Sequence, residues 1–400
     1  MKIGVLTFAN VSNFGANIQA LSTISFLRNK GHEAYIIDWS PKDFQMRFQN
    51  FSSPQQFAHR DFFQTMIPHT RKVCSDDEIA DLLQNDNFEA VIVGSDAVLQ
   101  DFPFLSRFHF PTRTIYRIDP ITSDRMFPNA FWGSFLSKMD FRIPVAIMSG
   151  SCQNCKYKNI FPNQRKKMRE ALEEFSYISV RDEWTKKMLA YISSSDVEAP
   201  ITPDPVFAFN QNYPQNIDRT ALIKKFNLPN KYVLFSFKKP ENISYDWLCQ
   251  IKQLFKNEGY DCVAFPMPDG LVFKHPFDFE VQTPLNPLDW YNLIRMSNGY
   301  IGENMHPIVV CLHNSTPVFS FDSYGAKRFR FFVDEKSSKV YDVMKIFGLA
   351  DNRIRVKKYI KPEDVVNKIL HFDFGHCGEI ASNRYNDYIN MMDNLMNSFK

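Results

Sequence analysis

Five short stretches hold the side chains best suited to chemistry: Ser-Asn-Phe-Gly-Ala-Asn at 12–17, Gly-Ser-Asp at 94–96, Ser-Gly-Ser-Cys-Gln at 149–153, Ser-Val-Arg-Asp-Glu at 179–183 and Glu-Asn-Met-His-Pro at 303–307. Together they supply a glycine turn, small hydroxyls, an arginine, a carboxylate and a histidine, which suits an anionic substrate and proton transfer. The guanidinium of Arg181 can hold a carboxylate or phosphate through two parallel hydrogen bonds. His306 can move a proton near neutral pH. Asn13, Phe14, Gly15 and Ala16 form a turn expected to receive an anion at a helix start. Ser95, Asp96, Ser151 and Asn304 complete the candidate set. The competing readings are structural: Asn13 and Gly15 making only a tight turn, Arg181 pairing with Asp182 or Glu183, and His306 capping a helix that begins at Pro307.

These stretches gain weight from the elements that must carry them. Residues 3–8 are an apolar run suited to a buried strand, Ala20, Leu21, Ile24 and Leu27 share one face of a following helix, Gly31 ends it, and residues 33–38 return as a second strand. Further strands are expected at 88–93, 143–148, 177–180 and 197–201, with helical stretches between several of them. A second series follows: strands at 232–237, 260–265, 300–302 and 317–321, and helices at 245–258, 287–297 and 306–313. The acidic run Asp76, Asp77, Glu78 reads as a helix start. The fold class is therefore α/β, with two Rossmann-like, doubly wound domains facing across a cleft. All five stretches fall at strand carboxyl ends, where such domains bind ligands.

The expected divisions are an N-terminal domain at 1–209, a polar linker at 210–218, a C-terminal domain at 219–375, and a final helix at 376–400 whose candidate packing partner is the N-terminal domain. Residues 101–141 break the alternation and are read as an aromatic insertion over the cleft mouth. They hold Phe102, Phe104, Phe108, Phe110, Tyr116, Phe127, Phe131, Trp132 and Phe135 among several prolines. Trp132 is the candidate to stack on a sugar; the alternatives are a packed subdomain or an oligomer contact.

Composition narrows the classes. A net charge of +3, with basic residues spread along the chain, gives no nucleic-acid footprint. Seven scattered cysteines suit reduced thiols, and the single Cys152–Cys155 pair lacks the partners of a zinc site, so no metal is expected. No apolar run is long enough to span a membrane. The expectation is a soluble, cytoplasmic protein.

Taken in order, the motifs resemble the polysaccharide pyruvyl transferase family over roughly residues 3–350. The family's N-[YF]-G-A turn and Q-A helix correspond to Asn13, Phe14, Gly15, Ala16, Gln19 and Ala20. Its GSDQVW is matched by Gly94, Ser95, Asp96, Ala97, Val98 and Leu99, its YAASFG strand end by residues 148–153, its VRE by Val180, Arg181 and Asp182, and its DPT by Asp204, Pro205 and Val206. D-S-F-H-G and N-K-P-F fall within residues 288–320, with His306 at the histidine, and SRI corresponds to Ser338, Lys339 and Val340. Pro307, Gln153, Leu99, Lys339 and Asn304 depart from the pattern.

The resemblance implies a GT-B-like transferase with no cofactor, phosphoenolpyruvate as donor substrate, and a sugar or lipid-linked glycan as acceptor. Pyruvate would bridge two hydroxyls as a ketal, in surface polysaccharide biosynthesis. His306 would then be the acid/base. Arg181 and the loop at 13–16 would hold the donor's carboxylate or phosphate, and Lys339 would be a second cation. Two alternatives stand beside this: a non-catalytic carbohydrate-binding paralogue, motivated by Pro307 and Gln153, and a GT-B glycosyltransferase using a nucleotide sugar. The sequence identifies neither the acceptor nor the oligomeric state.

Overall fold

The computed structural model describes residues 1–49, 52–109, 117–194, 199–328 and 332–400. Strands β1 (Lys2–Leu6), β2 (Glu33–Ile36), β3 (Ala90–Asp96), β4 (Val145–Gly150) and β5 (Tyr177–Val180) form a parallel sheet in the order β2-β1-β3-β4-β5. β3 and β4 are buried along their whole length, as expected of strands covered on both faces. A second parallel sheet contains β6 (Tyr232–Ser236), β7 (Asp261–Ala264), β8 (Phe279–Glu280), β9 (Gly299–Gly302), β10 (Val318–Asp322) and β11 (Arg353–Arg355), in the order β8-β7-β6-β9-β10-β11. Both orders are doubly wound, with switch points between β1 and β3 and between β6 and β9.

The helices used below are α1 (Phe14–Asn29), α2 (Pro54–Met66), α3 (Glu183–Ser193), α4 (Pro287–Arg295), α5 (Met305–His313), α6 (Lys339–Ile346) and α7 (Phe374–Asn397). α1 follows β1 and α5 follows β9, so each begins at a switch point.

An apolar seam joins the halves. Phe14 stacks on Trp290 of α4 with ring centroids 5.2 Å apart and planes 6° apart. Gln55 of α2 donates to the Leu285 carbonyl at 2.9 Å and accepts from its N–H at 2.6 Å. One continuous core cluster includes Ile18 of α1, Ile308 of α5 and Met391 of α7. α7 lies against the first sheet, where the Ser149 hydroxyl meets the Met391 sulfur at 3.2 Å.

The structure departs from the sequence reading in several places. β8 and β11 were not anticipated, being two and three residues long. Of the strand expected at 197–201, Val197 lies outside the described residues and Ile201 makes one bridge to Val180. In the insertion, Phe110 and Tyr116 also lie outside the described residues. Its helical content is confined to short 3-10 turns among the described residues: Phe104–Arg107, Ser123–Arg125, Ala130–Trp132 and Ser134–Lys138. Trp132 is 2% exposed, edge-on to Phe127 at 5.4 Å and in one cluster with Phe131 and Phe135. Its role as a sugar-stacking surface is corrected: the indole is enclosed and offers no free face.

Candidate active site

The carboxyl ends of the two sheets meet at α1 and α5. Gly15, in the first turn of α1, lies against the imidazole of His306, in the first turn of α5, and a Cβ at position 15 would overlap the ring. Only glycine lets the two switch points approach this closely. His306 Nε2 is buried without a hydrogen-bond partner. Burial lowers its pKa to about 4; the Asp204 and Asp96 carboxylates oppose the shift, and Lys339 and Arg181 reinforce it. At neutral pH the ring is therefore an unprotonated base. An anion entering beside it would raise its proton affinity.

Arg181 follows β5 and is almost wholly buried. Its Nη1 donates to Asp204 Oδ2 at 2.8 Å, and Nη2 lies 3.6 Å from Asp96 Oδ1. Asp204 also accepts from Gln19 Nε2 of α1 at 2.6 Å and from the Val206 N–H at 3.0 Å. Burial alone would lower the arginine pKa, but Asp204, Asp96 and Asp182 carry it the other way, so the guanidinium stays charged. Burial would raise Asp96, yet Arg181, His306 and Lys339 bring it below its ordinary value. The Nε and Nη2 atoms of Arg181 have no hydrogen-bond partner. That edge keeps unused hydrogen-bond donors beside the Asp96 carboxylate, its ion-pair partner.

Two further cations come from the second sheet. Lys238, just after β6, places Nζ 3.8 Å from the Tyr324 ring centroid, and Lys339, the first residue of α6, places Nζ 4.9 Å from the same centroid. Lys238 Nζ donates to Ser323 Oγ at 3.2 Å. Among the described residues neither ammonium forms an ion pair with a carboxylate. Burial, then the neighbouring Arg181 and Lys238, lowers the Lys339 pKa against the pull of Tyr324 and Asp96. Burial would raise Tyr324, but Lys238 and Lys339 bring its phenol below the usual value. Tyr324 also donates to Asn304 Oδ1 at 3.2 Å, fixing the residue that precedes α5. Arg181, Asp204, Met305, Lys339 and Arg384 line one recess of about 380 Å³, its open mouth included.

The geometry sorts the expected site residues. His306, Gly15, Arg181, Asp96, Asn304 and Lys339 come together at the joint between the sheets. Asn13 does not offer its turn to a ligand: its Oδ1 accepts from the N–H groups of Gly15 at 3.0 Å and Ala16 at 3.3 Å, so the start of α1 is capped internally. The expected anion contacts through Asn13 and Ala16 are corrected accordingly. Phe14 is corrected too, because its ring is spent on Trp290 and His59 in the seam. Ser95 and Ser151 are fully enclosed supports: Ser95 Oγ donates to the Ser149 carbonyl at 2.9 Å, and Ser151 Oγ to Asp182 Oδ2 at 2.7 Å. Gln153, at a family glycine position, holds φ 50°, with its side-chain Oε1 accepting from Gln100 Nε2 at 3.0 Å. The left-handed backbone is thus kept without glycine. Pro307 sits in the first turn of α5, where a missing N–H breaks no helical bond.

Sequence reasoning gave no role to Gln19, Asp204, Lys238 or Tyr324. Gln19 and Asp204 stood inside quoted motifs, and their position beside Arg181 was the missed signal. Lys238 and Tyr324 belong to no motif and converge only through the sheet order. Cys152 and Cys155 are buried, and burial raises both thiols; all seven cysteines are free, and no metal-binding group of three or more ligands is present among the described residues. No helix among those residues is long and apolar enough to cross a membrane.

Two Rossmann-like domains with a cationic site at their joined switch points define a GT-B-like architecture. Solved structures sharing the fold include the putative UDP-N-acetylglucosamine 2-epimerase of Listeria monocytogenes, at 11% identity and TM-score 0.54, covering 99% of this chain and 95% of that one. The UDP-GlcNAc 2-epimerase of Neisseria meningitidis gives 12%, 0.52, 99% and 100%, and that of Methanocaldococcus jannaschii 11%, 0.51, 96% and 99%. At such identities the likeness is one of fold. No curated protein matches the chain. The chain belongs to the polysaccharide pyruvyl transferase family, whose family model matches residues 13–324.

Proposed function

We propose that the site transfers pyruvate from phosphoenolpyruvate to two hydroxyls of a glycan. The observation that carries this reading is the pairing of an Arg181 edge whose Nε and Nη2 make no hydrogen bond with two ammonium groups that, among the described residues, form no ion pair with a carboxylate. A small ligand with two anionic ends satisfies both. The planar guanidinium edge takes the donor carboxylate, and the compact charges of Lys238 and Lys339 take the phosphate.

Carbon 3 of the enol must gain a proton before carbon 2 becomes electrophilic. Donor binding raises the pKa of His306, which then delivers that proton. The resulting neutral imidazole accepts the proton of the first attacking hydroxyl as its oxygen bonds to carbon 2. The second hydroxyl displaces phosphate from carbon 2, its proton leaving with the inorganic phosphate, and the ketal closes. One histidine can serve both directions of proton movement because its charge follows the ligand.

The test is a mass-spectrometric screen with phosphoenolpyruvate and candidate glycans, including lipid-linked ones. The expected product carries one pyruvate as a ketal, with one phosphate released. A folded enzyme that forms no such product with any acceptor, yet transfers a sugar from a nucleotide sugar, would replace this reading with the glycosyltransferase one.

A further inference from the structure

Closing the ketal moves a proton that His306 does not carry. The second hydroxyl must lose a proton while the departing phosphate gains one. A group that serves both has to stand beside the phosphate, whose place in the proposed transfer is with Lys238 and Lys339.

One phenol lies against both of those ammoniums. Tyr324 follows β10, with Lys238 Nζ 3.8 Å and Lys339 Nζ 4.9 Å from its ring centroid. Its hydroxyl donates to Asn304 Oδ1 at 3.2 Å, at the start of the helix that carries His306. Lys238, Asn304, His306, Tyr324 and Lys339 are all partly open to solvent, unlike the enclosed Ser95 and Ser151.

The surrounding backbone fixes the ring in this place. Asp322, fully buried, accepts from the Tyr324 N–H at 2.8 Å through Oδ1. Through Oδ2 it accepts from Ser338 Oγ at 2.6 Å and Arg353 Nε at 2.7 Å. Ser338 caps α6 immediately before Lys339, so one carboxylate anchors both the tyrosine and the lysine. Arg355 Nη1 donates to the Tyr324 carbonyl.

The charges beside the hydroxyl suit an oxygen that gives up a proton and regains it. An ordinary phenol is a weak proton donor at neutral pH, because its anion is left unsupported. Burial would weaken the Tyr324 phenol further, but Lys238, Lys339 and the Met305 N–H bring its pKa below the ordinary value.

We propose that Tyr324 is a second catalytic acid–base group, relaying the proton of the second hydroxyl to the departing phosphate. The phenol gives its proton to the bridging oxygen as the bond from that oxygen to carbon 2 breaks, and the electron pair of the bond stays with the phosphate. The second hydroxyl oxygen bonds to carbon 2, and its proton passes to the phenolate. The products are the ketal and inorganic phosphate, with the phenol restored. This role rests on the pyruvyl-transfer reading above.

Two forms of the full chain test it: Tyr324→Phe, and a protein carrying 3-fluorotyrosine at position 324 alone. Tyr324→Phe should bind phosphoenolpyruvate as wild type does by calorimetry, yet lose about 10²-fold or more in kcat for phosphate release with glycan acceptor present. The fluorinated phenol is more acidic. It should retain turnover and move the alkaline limb of the kcat profile to lower pH, a shift that a merely structural tyrosine does not give. Fluorine NMR of the same protein should place its phenol midpoint below that of free 3-fluorotyrosine, and Lys238→Met should raise it. Undiminished kcat in a folded Tyr324→Phe, or an alkaline limb unmoved by fluorination, overturns the relay. Should Tyr324→Phe fail to fold, the fluorinated protein decides alone. A wild type that binds no phosphoenolpyruvate removes the pyruvyl reading and the relay with it, whereas binding and turnover that Tyr324→Phe matches remove the relay only.

Discussion

Gly15 of the first sheet's leading helix lies flush against the His306 ring of the second, with no room for even a methyl group between them. Gly15→Ala should therefore behave opposite to its helix propensity. In an open helix the change would stabilise by about 0.5–1 kcal/mol. Here the methyl must push the ring or part the seam, so a loss of about 1–3 kcal/mol is expected from chemical denaturation. Turnover should fall about 10²-fold or more as the proton carrier is displaced. A stabilised, fully active variant would mean that the contact is not maintained in solution.

His306 should titrate near pH 4 in the free enzyme. Because its folded pKa lies below the ordinary value, its contribution to stability is intact above about pH 6.5 and is lost as the pH falls toward 4. Nitrogen-detected NMR of the ring should show the neutral form at pH 7, with the midpoint moving upward when inorganic phosphate is added. A free-enzyme midpoint at or above 6.5 would remove the base assignment.

Lys238→Met and Lys339→Met probe the shared tyrosine. Each removes one of two like charges on the Tyr324 ring, so the free protein should melt no lower than wild type. Inorganic phosphate should bind about tenfold more weakly to either variant, by calorimetry at low salt. Unchanged phosphate affinity in both would take the lysines out of the donor site.

Asp342 of α6 lines the same recess, with a buried Oδ2 that has no partner. Burial, then Asp182 and Glu183 across the domain joint, raises its pKa to about 7. Its protonated form favours folding, and that contribution is present at low pH and lost as the pH rises through about 7. Asp342→Asn should accordingly be close to wild type at pH 5 and more stable than wild type at pH 8, read as melting temperature. A variant less stable at pH 8 would show that the carboxylate is ion-paired in solution.

Much of this architecture was legible because parallel strands announce themselves as short apolar runs and their carboxyl ends locate the chemistry. That placement singled out His306, Arg181 and Gly15, which the fold brings together. Lys238 and Tyr324 were not, because they approach Lys339 only when the strand order brings β6 and β10 to either side of β9. Asn13 misled for a local reason: a residue that caps its own helix has the same sequence signature as one that leaves the helix start open. Trp132 misled because 101–141 has no clean period from which to tell an enclosed ring from a presented one.

The donor site is tested by calorimetric titration of phosphoenolpyruvate into the wild type and Arg181→Lys, with UDP titrated in parallel. Wild type should bind phosphoenolpyruvate and not UDP, and Arg181→Lys should lose about tenfold or more in affinity, about 1.4 kcal/mol, because an ammonium cannot reproduce the two parallel bonds of a guanidinium edge. Tight UDP binding with no heat from phosphoenolpyruvate, or equal phosphoenolpyruvate affinity in the two proteins, would contradict the donor site described here.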